Sequence, residues 1–186
     1  VLVVLNAEME GKTMKIRTEA KFSAAHVVHL TKTKCSRLHG HTWRVEVELE
    51  GSIDRDGMMV DFGDIKKVID ELDHKTLIPE VAIIRNVSGS LADQVFKGQT
   101  MVSFPDPAIP GAEKVYMFPP EDVYAIPNTP EMRNRFGTDV SCTAEFIAEH
   151  LIDKIAEITV KKPVKNIFIR VWESETSYAE ASFPKM

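Results

Sequence analysis

A chain of 186 residues with a formal net charge of −5, 44% hydrophobic and 27% charged residues, has the composition of one globular domain of ordinary size, not of a disordered or membrane-embedded chain. Its longest apolar runs, such as Val1–Leu5, are far too short to span a bilayer, and the acidic balance gives no global attraction to nucleic acid or anionic lipid. That opening run also lacks the basic start and small-residue cleavage site of a secretory leader, so neither membrane nor nucleic acid is expected as a partner and a cytoplasmic location is the default.

From Met14 to His26 the sequence alternates: Met14, Ile16, Ala20, Phe22 and Ala24 share one parity, and Lys15, Arg17, Glu19 and Lys21 take the other. This is a half-buried strand. From His39 to Glu50 the alternation returns, with Trp43, Val45, Val47 and Leu49 opposite Arg44, Glu46, Glu48 and Glu50, followed by turn chemistry at residues 51–57. Asp61 then reads as an N-cap, and Ile65, Val68, Ile69 and Leu72 form the apolar stripe of a helix that ends near Asp73 and His74. A second helix is expected from Ser141 as cap through Ile155, stopping before Pro163. Ile167, Ile169 and Val171 mark a third strand, and residues 174–177 turn the chain into a fourth at Tyr178–Phe183.

The expected fold class is therefore α+β: a four-stranded antiparallel sheet in the order ββααββ, with two helices packed on one face. Residues 1–186 form a single domain with a Pro-rich insertion at about 79–138, which holds eight of the ten prolines. So long a loop without structure is improbable in a compact domain, and short strands are expected at Lys114–Met117 and Asp122–Ile126. The charged sheet face must meet water or another subunit.

Parity carries the chemistry. His26 shares parity with Phe22 and Ala24, while His39 and His41 share parity with Trp43 and Val45, so regular strands turn all three imidazoles to the helix-covered side. Imidazole is a natural ligand for a borderline metal, and three histidines leave a tetrahedral zinc one open position, as a catalytic site does. His29 falls on the opposite parity and reads as a loop or surface histidine; His150 reads as an ordinary helix residue. Cys35 and Cys142 lie far apart and neither belongs to a CxxC pair, so no disulfide framework is indicated. Cys35, in a loop with Lys32, Lys34 and Arg37, has its thiolate favoured by cations and a metal. It reads as base or nucleophile, as a fourth zinc ligand, or as an inert small residue. Asp73-His74 is either helix-end capping or a carboxylate orienting a proton-moving imidazole. Glu173 ends an apolar face, where an acid needs a partner such as a ligand rich in N–H donors; otherwise it is an exposed hairpin acid.

The stretches FSAAH (Phe22 to His26), CSRLHGHTW (Cys35 to Trp43), DGMMVDFGDIK (Asp56 to Lys66), LDHKTL (Leu72 to Leu77), CTAEFIAEHL (Cys142 to Leu151) and VWES (Val171 to Ser174) together resemble the 6-pyruvoyl/6-carboxy-tetrahydropterin synthase family. The resemblance implies the tunnelling T-fold, in which subunit sheets close into a barrel as a homo-oligomer, trimer or hexamer, with the site between subunits. It implies Zn2+ on His26, His39 and His41, Cys35 as the proton-abstracting base, Asp73 and His74 as the relay, Glu173 as pterin anchor and Thr143 as a further pterin contact. Lys34 and Arg37, with Lys32, are candidates to meet a triphosphate or simply form a solvated basic loop.

Three residues separate Cys35 from the HGH motif, which is similar to 6-carboxy-tetrahydropterin synthases of the deazaguanine (queuosine and archaeosine precursor) pathway. The implied activity of this lyase is zinc-dependent conversion of 7,8-dihydroneopterin triphosphate to 6-carboxy-5,6,7,8-tetrahydropterin, with release of acetaldehyde and triphosphate. The alternatives are 6-pyruvoyl-tetrahydropterin synthesis without carbon-carbon cleavage, and a non-catalytic zinc-stabilised pterin-binding protein. The chain departs from the family in Ser141-Cys142-Thr143, where Asn-Pro-Thr is usual. That puts Cys142 at a helix N-terminus, a place that lowers a thiol pKa. The second departure is the insertion, which, if it overlies the site, changes the substrate or acts as a lid.

Overall fold

The alternating segments become two long strands, β1 (Met14–His26) and β2 (His39–Gly51). They pair antiparallel without slip from Met14↔Gly51 to His26↔His39. The computed structural model describes residues 13–84 and 98–184. Gly51 closes β2 where the chain crosses Pro163 so closely that a Cβ would collide with its carbonyl, a close approach that only glycine permits.

Two of the helices stand where their stripes place them. In α1 (Phe62–Asp70), the Asp61 carboxylate accepts from the Gly63 N–H at 2.7 Å. A short α2 (Pro130–Phe136) is capped by Thr129, with proline in its first turn, and α3 (Ala144–Ile158) follows. The cap of α3 is Thr143, whose hydroxyl accepts from the Phe146 N–H, and not Ser141 as the sequence suggests. Among the described residues no helix is long and apolar enough to cross a membrane.

The expected strands are completed by β8 (Val164–Trp172) and β9 (Tyr178–Pro184). They lie beside β2 in the order β1-β2-β8-β9, but the sheet does not stop at four. On the far side of β1 it continues through β3 (Lys75–Pro79) and β7 (Val123–Ile126), giving a six-stranded sheet β7-β3-β1-β2-β8-β9. The β3 strand runs parallel to β1 and joins it at Ala24↔Lys75 and Ala25↔Thr76. A second sheet of three strands, β4 (Ile83–Ile84), β5 (Thr100–Pro105) and β6 (Glu113–Phe118), fills part of the insertion. The four-strand ββααββ order is thus corrected to a larger sheet with three helices. The reason for the miss is physical: Thr76–Pro79 are buried on every side, so the strand shows no period of two.

The main core lies between the large sheet and the helices. Trp43, Val45, Val47 and Leu49 of β2 and Ile167, Ile169 and Val171 of β8 meet Ile65 and Ile69 of α1 and Phe146, Ile147, Leu151 and Ile155 of α3, all buried. Each such side chain stabilises the fold by roughly 1.5–3 kcal/mol relative to exposure. A smaller core holds Val27, Ile78, Val102 and Phe104. It seats the insertion sheet against the segment that follows β1.

Candidate active site

The β1–β2 register brings the histidines together. His26 lies directly across from His39, and His41 across from Ala24, with ring centroids 4.5 to 5.2 Å apart. The indole of Trp43 packs within 5.0 Å of His26 and donates its N–H to the Ala24 carbonyl at 3.2 Å. The Nδ1 of His26 donates to the Cys142 carbonyl at 2.5 Å, and the Nδ1 of His39 to the Arg37 carbonyl at 2.7 Å. A carbonyl only accepts, so each of these Nδ1 atoms carries the hydrogen, which in the neutral ring leaves the lone pair on Nε2.

Those lone pairs converge. The Nε2 atoms of His26, His39 and His41 are all buried without a hydrogen-bond partner, and with the Glu173 carboxylate they supply four ligand atoms within 4.8 Å of one another. Glu173 Oε1 lies 3.4 Å from both His26 Nε2 and His41 Nε2. This is no conventional ion pair. Burial, partly offset by the Cys142 carbonyl, lowers the His26 pKa to about 4, so that imidazole is neutral at pH 7. Burial also lowers His41, against the opposing pull of Glu173. Acceptors facing acceptors are unfavourable unless a cation lies between them. The residues present fit a divalent metal of the kind imidazole and carboxylate share.

Beside this group, Cys35, Thr143 and Glu173 line a recess of about 260 Å3, together with Tyr178. Cys35 is held by its backbone: its N–H donates to the Thr33 hydroxyl at 3.3 Å, and its carbonyl accepts from the Val28 N–H at 2.9 Å. Among the described residues the fourth ligand atom of the metal group is the Glu173 carboxylate, and Cys35 is not part of that group.

Asp73 and His74 are hydrogen-bonded to each other but do not line the Cys35 recess. The Asp73 carboxylate accepts from the Ser23 N–H at 2.7 Å and from His74 Nδ1 at 2.8 Å, and the His74 N–H donates to the Ser23 carbonyl at 2.7 Å. Those bonds, the Ser23 N–H first and then the imidazole, hold the Asp73 carboxyl below the usual range. His74 has φ of 56°, a left-handed conformation uncommon outside glycine and often found at functional sites. His74 lines a recess of about 580 Å3 other than that of Cys35, which it shares with His41 of the metal group and with Ser23, Gly40, Thr42 and Asp122. Within one chain, His74 and Cys35 thus line different recesses. Lys34 and Arg37 are exposed, and neither lines the Cys35 recess; the part of Arg37 that serves the site is its carbonyl.

Two expectations need correction. His29 does lie in a turn, but it is buried and not at the surface. Its Nδ1 meets the Ser141 hydroxyl and its Nε2 the Asp139 carboxylate, each at 3.0 Å, while Phe104 stacks on its ring at 4.8 Å. Of its apolar neighbours Val27 is buried, Val28 half-buried and Leu30 exposed, so apolar composition alone does not mark this segment as turning inward. Cys142 is not an activated thiol, because complete burial pushes its pKa up. Its carbonyl, which orients His26, is what the site uses. The insertion underpins the Cys35 loop, with Phe104 against His29 and Lys114 Nζ donating to the Ser36 carbonyl at 3.4 Å.

Fold and site together define an α+β protein with a centre of three histidines and one carboxylate, fit for a metal ion and placed at the paired ends of two strands. The chain belongs to the 6-pyruvoyl tetrahydropterin synthase family, whose family model matches residues 15–183. A relative from Pyrococcus horikoshii, which carries the provisional name 6-carboxy-5,6,7,8-tetrahydropterin synthase, is 31% identical over 172 residues, spanning 91% of this chain and 90% of its own. A Pyrococcus furiosus protein named dihydroneopterin monophosphate aldolase is 43% identical over 67 residues, 34% of this chain and 56% of its own. In fold the chain is similar to Plasmodium falciparum 6-pyruvoyl tetrahydropterin synthase, with a TM-score of 0.63 at 21% identity, covering 93% of this chain and 99% of that one.

Proposed function

We propose that this chain is a zinc-dependent lyase converting 7,8-dihydroneopterin triphosphate and one water to 6-carboxy-5,6,7,8-tetrahydropterin, acetaldehyde and triphosphate. The observation that carries the reading is the group of buried, donorless Nε2 atoms beside a cysteine-lined recess. The names of relatives such as the P. horikoshii protein support the choice of product.

His26, His39 and His41 would hold the ion, with Glu173 close enough to act as a fourth ligand or to turn toward the substrate. Bound there, zinc supplies Lewis-acid polarisation of the substrate's side-chain oxygens. The Cys35 thiolate takes a carbon-bound proton from substrate lying in the recess. Glu173 and Thr143, on the walls of that recess, accept and donate hydrogen bonds to the pterin ring and fix its orientation. His74, its Nδ1 tied to the Asp73 carboxylate, offers Nε2 to carry a proton back to substrate. Because it lines another recess of the same chain, the reading includes a homo-oligomer, trimer or hexamer, in which His74 of one copy serves the Cys35 recess of its neighbour.

The test is a product assay on purified protein, with and without a chelator. Acetaldehyde and the 6-carboxy product from the triphosphate, lost on chelation and regained with zinc, are the expected result. A 6-pyruvoyl product would move the chain to the sister activity. Turnover of dihydroneopterin monophosphate in place of the triphosphate would align it with the P. furiosus relative, and no turnover of any pterin phosphate would leave a binding protein.

A further inference from the structure

The large sheet turns its other face away from the helices, and the register sorts the charges on that face into rows. One row reads Glu19, Glu46, Arg170 and Glu180 across β1, β2, β8 and β9, and the next reads Lys21, Arg44, Trp172 and Tyr178. In the first row the acids are matched. Arg170 meets Glu46 and Glu180, and Arg17 meets Glu19 at 3.4 Å and Glu46 at 3.5 Å. In the second row two cations stand directly opposite each other on neighbouring strands, which is destabilising unless an anion joins them. Among the described residues neither Lys21 nor Arg44 has a carboxylate partner, and Glu46, the acid beside Arg44 on β2, is already taken by two arginines.

The surroundings suit a ligand. The Arg44 guanidinium lies 4.0 Å from the centroid of the Trp172 ring. That stack fixes its plane and leaves its N–H edge free to hydrogen-bond. Lys21, Arg44 and Trp172 line a recess of about 510 Å3 with the hydroxyls of Thr42 and Ser174, and with Glu175. This recess opens on the face opposite the histidines.

We propose that the Lys21–Arg44–Trp172 row binds a multiply charged phosphate anion, either a free oligophosphate or the phosphate tail of an organic ester. The planar guanidinium takes two phosphate oxygens, the ammonium a third, and the two hydroxyls complete the shell. Glu175 opposes the charge and limits the affinity.

The test is titration calorimetry of the metal-loaded protein with sodium tripolyphosphate and, in a second arm, with ATP free of added magnesium. Wild type binds tripolyphosphate, and Lys21→Gln and Arg44→Gln each weaken it about tenfold, with metal content unchanged. Arg44→Lys recovers part of the loss, Glu175→Gln tightens binding, and raised salt weakens it. Equal affinity for ATP assigns recognition to the phosphates alone, while tighter ATP binding assigns a share to the organic group. The proposal is overturned if wild type binds neither anion. It is equally overturned if binding is lost in chelator-stripped wild type or in His39→Ala but survives Lys21→Gln/Arg44→Gln, because the anion then sits on the metal. A third overturning result is light scattering that shows the double variant falling apart while wild type takes up no anion, since carboxylates of another copy then fill the row.

Discussion

The two faces of one pair of strands carry opposite chemistry. On the covered face, the Nε2 atoms of His26, His39 and His41 are buried without a hydrogen-bond partner, and burial keeps the His26 imidazole neutral at pH 7. On the open face, residues of the other parity keep their charges and settle into ion pairs such as Lys15–Glu48 and Arg170–Glu46. The difference is made by solvent: burial penalises the charged form of a group, whereas water screens it. A one-residue shift of register would exchange the two faces, and so the pairing of His26 with His39 matters to the metal-fit group as much as the histidines themselves.

The sharpest way to break this comparison is to remove a covered-face ligand. His39→Ala should weaken zinc by more than about 100-fold, since even an outer-shell partner accounts for roughly 10–100-fold, and should abolish turnover; metal analysis after dialysis against a weak chelator reads it. Next in size are Cys35→Ala and His74→Ala, each expected to keep the metal and lose about 10²–10⁴ in kcat. Mixing the two inactive variants under conditions that exchange subunits should restore part of the activity, because mixed assemblies contain sites with both residues intact. No recovery would mean that the relay does not cross between copies.

A smaller effect is expected where the loop meets the core. His29→Ala removes a buried ring that stacks on Phe104 and bonds the buried Ser141 hydroxyl, and should cost about 1–3 kcal/mol in chemical denaturation. His29→Asn, which keeps one polar arm, should recover part of it. Acid tests the covered face directly. Burial lowers both His26 and His150 to about 4, below their unfolded value near 6.5, so between those limits the unfolded chain binds protons that the folded chain does not. The metal-free protein should lose about 1.4 kcal/mol per pH unit for each imidazole as pH falls from 6.5 toward 4. The smallest effect belongs to the open face: Lys15→Ala, which removes an exposed ion pair, should leave the denaturation midpoint unchanged within error.

Much of the fold was legible because its long strands are half-buried. Period-two alternation set the bounds of β1 and most of β2, and the stripe through Ile65, Val68 and Ile69 set α1. Parity also pointed His26, His39 and His41 to one side before any coordinates were known. The insertion was legible only in fragments. β6 and β7 are partly legible, but β3 is buried all round, and β5 alternates only through Val102, Ser103 and Phe104 before Pro105, too short a run to mark a strand. The cap of α3 was misplaced by two residues because Ser141 and Thr143 are both good N-caps, and only the third dimension gave Ser141 another partner in His29.

By itself, then, the sequence determined which residues could share a face, since side-chain direction along a strand is a local property of backbone geometry. Tertiary structure alone decided what each residue met there. The register set His26 across from His39, the fold-back of residues 139–143 supplied the Cys142 carbonyl to His26 and Ser141 to His29, and the hairpin end brought Glu173 to the histidines. It also held the Asp73-His74 pair apart from Cys35. Such contacts join residues up to more than a hundred positions apart, and they depend on packing that no local pattern encodes.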